Sequence, residues 1–300
     1  MCLLPLELNM VTGSRLAKAG TAAAMLFGAS ALATPALAAD YLRGPYQGHT
    51  QPQASNQVDW AGVYGGFHAG YSSVRTDYSA AGRTIGNRVL PNLAISDQIP
   101  PLIHLGDVRK QGTNAGVFIG MNFLWDDVVL GFEADYTRSS INTADSSGPI
   151  SRALSAASTG TDVWDTTVSA NARSQVRDWG TIRGRAGWSA GWFMPYITAG
   201  IAIGNITSVA NGTGSTSQFA VTNDPVTGLP VYTLRGSTNG TAQVKHRGVS
   251  YGGVIGAGVD FSIFSNFFLR AEWQYIQFAS GGNRPELAIN TARVAGAVKF

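Results

Sequence analysis

Ala115-Gly-Val-Phe-Ile-Gly-Met-Asn-Phe-Leu-Trp125, Asp126-Asp127, Val128-Val-Leu-Gly-Phe-Glu-Ala-Asp-Tyr136 is the stretch whose reading decides the fold. An extended chain sends successive side chains to opposite faces. Read this way, Ala115, Val117, Ile119, Met121, Phe123 and Trp125 share one face, and Asn114, Gly116, Phe118, Gly120 and Asn122 share the other. After the Asp-Asp link the alternation restarts: Val128, Leu130, Phe132, Ala134 and Tyr136 against Gly131, Glu133 and Asp135. A two-residue connection between alternating segments is the signature of an antiparallel hairpin. One face is wholly apolar, while the other carries small, polar and charged groups. That suits a sheet with lipid on its outside and a filled or wet interior.

The same period recurs outward from this hairpin. Pro195, Ile197, Ala199, Ile201 and Ile203 lie opposite Tyr196, Thr198, Gly200 and Gly204. Val249, Tyr251, Gly253, Ile255, Ala257, Val259 and Phe261 lie opposite Ser250, Gly252, Gly256, Gly258 and Asp260. Phe267, Leu269, Ala271, Trp273 and Tyr275 lie opposite Arg270, Glu272 and Gln274. Weaker segments run from about Gly62 to Arg75 (Tyr64, Gly66 and His68 against Val63, Phe67, Ala69 and Tyr71), around Ile182–Trp188, and through Arg293–Phe300. The spacing predicts an antiparallel transmembrane β-barrel over residues 59–300, of eight strands, with ten as the alternative if strand pairs hide in the long connections.

A soluble β-sandwich also alternates, but two features favour the barrel. Aromatics sit at segment ends (Trp60, Tyr71, Trp125, Tyr136, Trp188, Phe261, Tyr275, Phe300), where interfacial girdles belong. Connections near 126–127, 189–193 and 262–266 are short, and those near 76–112, 138–175 and 205–245 are long, with a shorter fourth near 277–286. Short periplasmic turns and long outer loops are the outer-membrane pattern. The long segments are rich in Ser, Thr, Gly and Asn and are expected to be solvated extracellular loops.

Composition agrees. Charged residues make up 13% of the 300 residues, about half of the ~25% usual in soluble domains. Glycine is abundant at 37 residues, and a mean hydropathy of +0.03 excludes a helical membrane protein. The net charge of +3 comes from dispersed Lys and Arg, so no nucleic-acid partner is expected. Residues 1–38 read as a secretory signal peptide: Arg15 and Lys18 precede an apolar run over Ala22–Ala33, and cleavage is expected after Ala38, or after the neighbouring Ala39. Met10 is an alternative start. Residues 39–58 read as a flexible periplasmic lead-in. Cys2 lies within the signal segment, so the mature chain has no thiol.

Within the predicted barrel, Glu133, Asp135, Arg183, Arg185, Arg270, Glu272 and Arg293 face inward, with Lys299 near the periplasmic rim. An eight-stranded barrel has room inside for side chains alone, and buried charges must pair. These seven are therefore expected to form a lumenal salt-bridge network, with a charged permeation path as the alternative. No catalytic residues, metal ligands or cofactor are expected. His49, His68, His104 and His246 are scattered, and haem or metal capture by His104 or His246 is the lesser reading. Gly253-Val-Ile-Gly256-Ala-Gly258 is not a nucleotide loop, because a strand continues where a helix would have to begin.

Asp59-Trp60-Ala-Gly62-Val-Tyr64-Gly-Gly66-Phe-His68-Ala-Gly70-Tyr71, Trp179-Gly-Thr-Ile-Arg183-Gly-Arg185-Ala-Gly187-Trp188, Pro195-Tyr196-Ile-Thr-Ala-Gly200, Ala271-Glu272-Trp273-Gln-Tyr275 and Val294-Ala-Gly-Ala-Val-Lys-Phe300 together resemble the small outer-membrane β-barrel proteins of α-proteobacteria, the porin-family or surface-antigen group related to the OmpA-type transmembrane domain. The resemblance covers most of residues 59–300 and is absent in the loops. It implies an eight-stranded barrel in the outer membrane of a Gram-negative bacterium, and a terminal aromatic, Phe300, read by the barrel-assembly machinery. It also implies a structural and surface-antigenic role. The first three outer loops are longer than is usual, so loop-borne activities do not transfer. No peptidoglycan-binding module follows Phe300, so a wall tether is not expected. Expected partners are outer-membrane lipids, the assembly machinery and an extracellular ligand met through the loops. A narrow diffusion channel and a loop-borne haem or host-ligand receptor are the alternative functions.

Overall fold

In the computed structural model the Asp126-Asp127 turn joins two strands, with Trp125 paired to Val128 and the ladder running back to Asn114 and Ser139. Asp126 adopts φ +53°, a left-handed conformation that Asp tolerates in a tight turn. The structure describes residues 58–156, 158, 160–279 and 286–300. The signal segment and the lead-in to residue 57 lie outside the described residues.

Eight strands follow in order: β1 (Gly62–Asp77), β2 (Asp107–Trp125), β3 (Val128–Ser155), β4 (Val163–Trp188), β5 (Phe193–Asn223), β6 (Pro230–Phe264), β7 (Phe267–Phe278) and β8 (Glu286–Lys299). Each pairs antiparallel with its sequence neighbour, and β8 pairs with β1, so the sheet closes. Closure removes the unpaired edge that would be intolerable in hydrocarbon. No helix among the described residues is long and apolar enough to cross a membrane; the crossing is made by strands. Outward side chains form a band of exposed Phe67, Val117, Ile119, Phe132, Ile197, Ile255 and Val294. A water-washed surface does not carry a contiguous apolar belt of this size.

Three expectations need correction. The connections near 138–175 and 205–245 are not solvated loops. They are the upper halves of β3–β6, which continue beyond the apolar band and leave turns only around 156–162 and 224–229. Ser and Thr stand well in a strand whose outer face meets water, so composition alone misreads them. The strand count nonetheless stays at eight, because these halves prolong existing strands. The connection near 76–112 contains a helix, α1 (Ser79–Val89), and two short 3-10 turns. Lastly, Trp60 is no girdle aromatic. It is buried beneath the barrel, and its Nε1 donates to the Gly191 carbonyl at 3.2 Å.

The upper half is a four-stranded cup, and α1 lies against its inner face. Ala81, Ile85 and Val89, spaced at i, i+4 and i+8, project from one side of the helix and pack with Leu90, Ile99 and Ile103 on Val168, Ala170, Ala172, Ala210 and Val244. Two glycines set the approach. A Cβ on Gly212 would overlap the Ile85 side chain, and one on Gly240 would overlap the Val89 carbonyl. Polar contacts fasten this first loop to β3: the Gly106 amide donates to Asp145 Oδ2 at 2.8 Å, and Gln98 Nε2 donates to the Ser155 carbonyl at 2.9 Å.

Candidate functional site

The lumen is filled in storeys. At the periplasmic end Trp60, Phe118, Val129, Met194 and Phe268 form an apolar floor. Toward the outside, Val74, Ile141, Val176, Trp179, Ile206, Ile276, Phe278 and Leu287 form an apolar storey beneath the α1 cap. Between these layers lies a cluster of charge.

Strand parity and register assemble that cluster. Glu133 and Asp135 come from β3, Arg183 and Arg185 from β4, Asp260 from β6, Arg270 and Glu272 from β7, and Arg293 from β8. Glu133 lies directly across from Arg183, Asp260 from Arg270, and Glu272 from Arg293. Glu133 is the hub. One oxygen accepts from Arg270 Nη1 at 2.5 Å and from the Tyr64 hydroxyl at 2.8 Å, and the other accepts from Arg183. Glu272 accepts from Arg183 at 2.6 Å, Arg293 at 2.7 Å and the Tyr196 hydroxyl at 2.5 Å. Asp135 accepts from Thr181 at 2.6 Å and faces Arg183 at 3.1 Å and Arg293 at 3.3 Å. Asp260 accepts two hydrogen bonds from Arg270, at 2.7 and 3.0 Å, and one from Arg185 at 2.8 Å. The Arg185 guanidinium carbon stands 3.9 Å from the Tyr196 ring centroid, a cation–π contact.

No charged side chain of the cluster is more than 2% exposed. Taking such ions from water costs several kcal/mol each, which only close pairing with further hydrogen bonds offsets. Four arginines and four carboxylates balance.

All seven residues singled out from the sequence meet in this one layer. Those seven do not include Asp260, Tyr64, Tyr196 and His68, although strand alternation places each on an inward face. Without Asp260 the set carries an excess arginine, a charge imbalance that itself points to a missing carboxylate. Lys299 lies at the rim, its Nζ 3.7 Å from Asp59 Oδ2. Phe300 is exposed, and its amide donates to the Val63 carbonyl at 2.9 Å. The described histidines do not converge. His68 faces the lumen with Nε2 3.3 Å from Thr137 Oγ1, His104 is exposed on the first loop, and His246 faces into the cup; His49 lies outside the described residues. Among the described residues no group of three or more metal-ligating side chains forms.

A family model for the outer membrane protein beta-barrel domain matches residues 19–300. The chain belongs to that family. As an outer membrane β-barrel protein it resides in the bacterial outer membrane, and its relatives agree. The 31 kDa outer-membrane immunogenic protein of Brucella melitensis biotype 1 is 25% identical over 276 residues, covering 91% of this chain and 92% of the relative. The 25 kDa outer-membrane immunogenic protein of Brucella abortus biovar 1 is 23% identical, covering 80% and 75%. Among solved structures, Neisserial surface protein A is 12% identical, covers 80% of this outer membrane β-barrel and 98% of its own chain, and superimposes with a TM-score of 0.32.

Proposed function

We propose that this barrel is a structural and surface-presenting protein of the outer membrane, neither a pore nor an enzyme. The observation that carries the reading is the filled lumen: an apolar floor, a neutral charge layer, an apolar storey and a helical cap in series. The charge layer cross-links β3, β4, β6, β7 and β8 and stiffens the ring. Every carboxylate in it is held by at least two arginines, which leaves no free general base. Above the membrane the rigid ring lifts the β5–β6 hairpin, whose tip exposes Val226, Leu229, Val231, Tyr232 and Leu234. Exposed apolar tips of this kind suit contact with another macromolecule.

Planar-bilayer recording tests the reading. Purified protein should give no steady unitary conductance. Steady, voltage-tolerant conductance would establish the diffusion channel instead.

The same reading assigns Phe300 to assembly. Its side chain is exposed and its contribution to packing is small. Deleting Phe300 should therefore leave refolding from urea into detergent intact while lowering the outer-membrane fraction in cells severalfold. The check is the proportion of chain that migrates as the compact, heat-modifiable band. Normal membrane levels of the deletion would remove the assembly role.

A further inference from the structure

Just above the lipid-facing band, the outward faces of β3–β6 gather five exposed cations: Arg138, Arg173, Arg177, Lys245 and Arg247. Register brings them together. One lateral row is Arg138–Asp178–Asn205–Val249. The next outward is Asn142–Gln175–Thr207–Arg247, and the next is Ala144–Arg173–Val209–Lys245. Arg177 is the extra residue of a bulge in β4, so Arg177 and Asp178 both project outward. The row below is Tyr136–Gly180–Ile203–Tyr251, with exposed Tyr136, Ile203 and Tyr251. The row above is Ser146–Asn171–Asn211–Gln243, where Gln243 Nε2 donates to Asn211 Oδ1 at 2.8 Å and Asn211 Nδ2 to Asn171 Oδ1 at 3.2 Å. Moving outward, this wall is apolar and tyrosine-bearing, then cationic, then amide-lined.

None of the five cations forms an ion pair among the described residues, and Asp178 is the carboxylate that shares their rows. Asp145, nearby on β3, is engaged by the first loop. The opposite half of the ring differs. There the outward faces of β1, β2 and β8 carry Arg75 and Arg109 against Asp77, Asp107 and Glu286, and Arg75 is already paired with Asp107. Cations thus outnumber the carboxylate by five to one on the β3–β6 wall, whereas on the opposite half two arginines face three carboxylates.

We propose that this wall docks an anionic glycolipid of the outer leaflet, a lipid whose headgroup is a phosphorylated sugar. Its acyl chains lie on Tyr136, Ile203 and Tyr251, its phosphates on the five cations, and its sugar hydroxyls against Asn171, Asn211 and Gln243. Clustered Lys and Arg next to a membrane surface attract anionic headgroups, and guanidinium matches phosphate bidentately. The continuity of the cationic rows with the lipid-facing rows selects a membrane lipid over a soluble anion or a protein.

The probe is bis-phosphorylated lipid A, titrated into the refolded mature chain in detergent, with retained lipid counted by native mass spectrometry. Wild type should bind it about tenfold or more tighter than the same lipid stripped of phosphate, and raised salt should weaken the binding. The triple variant Arg173→Ala/Lys245→Ala/Arg247→Ala should lose about tenfold or more. Arg173→Lys with Arg247→Lys should retain most of the binding, and Arg109→Ala on the opposite wall should change nothing. The heat-modifiable band establishes that each variant is folded, and the salt series needs no variant. Equal binding of the dephosphorylated lipid, salt-independent binding, full displacement by inorganic phosphate, or a folded triple variant with wild-type affinity would each overturn the proposal.

Discussion

Replacing Arg270 with methionine is expected to cost the refolded barrel about 3–5 kcal/mol of unfolding free energy. Methionine is shorter than arginine but fills most of its volume with an unbranched apolar chain, so the loss is mainly electrostatic. Arg270 gives two hydrogen bonds to Asp260 and one to Glu133, and both carboxylates are fully enclosed. Each keeps another arginine, Arg185 or Arg183, which places the expected cost toward the lower end of that range. Adding Asp260→Asn should restore part of it, because the neutral amide no longer needs the lost charge. Urea titration of the protein in lipid vesicles, followed by tryptophan fluorescence, measures both changes. A midpoint indistinguishable from wild type would mean that water screens the cluster and that the lumen is wet.

The second large effect concerns the cap. Ile85 is wholly buried between α1 and the cup. Truncating a buried isoleucine to alanine costs about 2–5 kcal/mol, and here the loss falls on the docking of the first loop rather than on the sealed barrel below. Ile85→Ala should therefore raise the open population of the loop roughly thirtyfold or more, since stability is local. Gly240→Val should act the same way from the opposite partner, because its side chain would occupy the space of the Val89 carbonyl. Limited proteolysis reports the change: cleavage within residues 79–105 accelerates while the compact gel band persists. Loss of that band together with the cleavage would show that cap and barrel unfold as one unit.

Much of this architecture is legible in the sequence, because period two is a local property. Phe132, Glu133 and Ala134 declare their faces without reference to the rest of the chain. The hub of the charge layer is legible for the same reason, down to which strands contribute. What joins Glu133 to Arg270 across 137 positions is closure of the ring, a long-range property that parity suggests but cannot prove.

Two features were hidden for physical reasons. The bulge at Arg177 inverts the parity of β4: Trp179, Thr181, Arg183 and Arg185 face inward below it, and Val176, Ser174, Ala172 and Ala170 above it. A reading that carries one parity through the segment finds no consistent face and reports a loop. The helix was obscured by its content. Ser79-Ala-Ala-Gly-Arg-Thr-Ile-Gly-Asn-Arg-Val89 contains two glycines, each weakening an isolated helix by about 1 kcal/mol. The glycines serve packing instead, since a Cβ on Gly86 would overlap Pro100. Tertiary burial, not intrinsic preference, makes this segment helical.

The alternation in the cup has a further consequence for how the protein can change over generations. Along β4, Val168, Ala170 and Ala172 are committed to the cap, whereas Ser169, Asn171 and Arg173 between them touch nothing that the cap requires. Each upper strand is two interleaved texts, one constrained by packing and one open to revision. Mutation can rewrite every second letter without loosening the fold, and selection for the proposed glycolipid would be visible as the outer letters that refuse to drift.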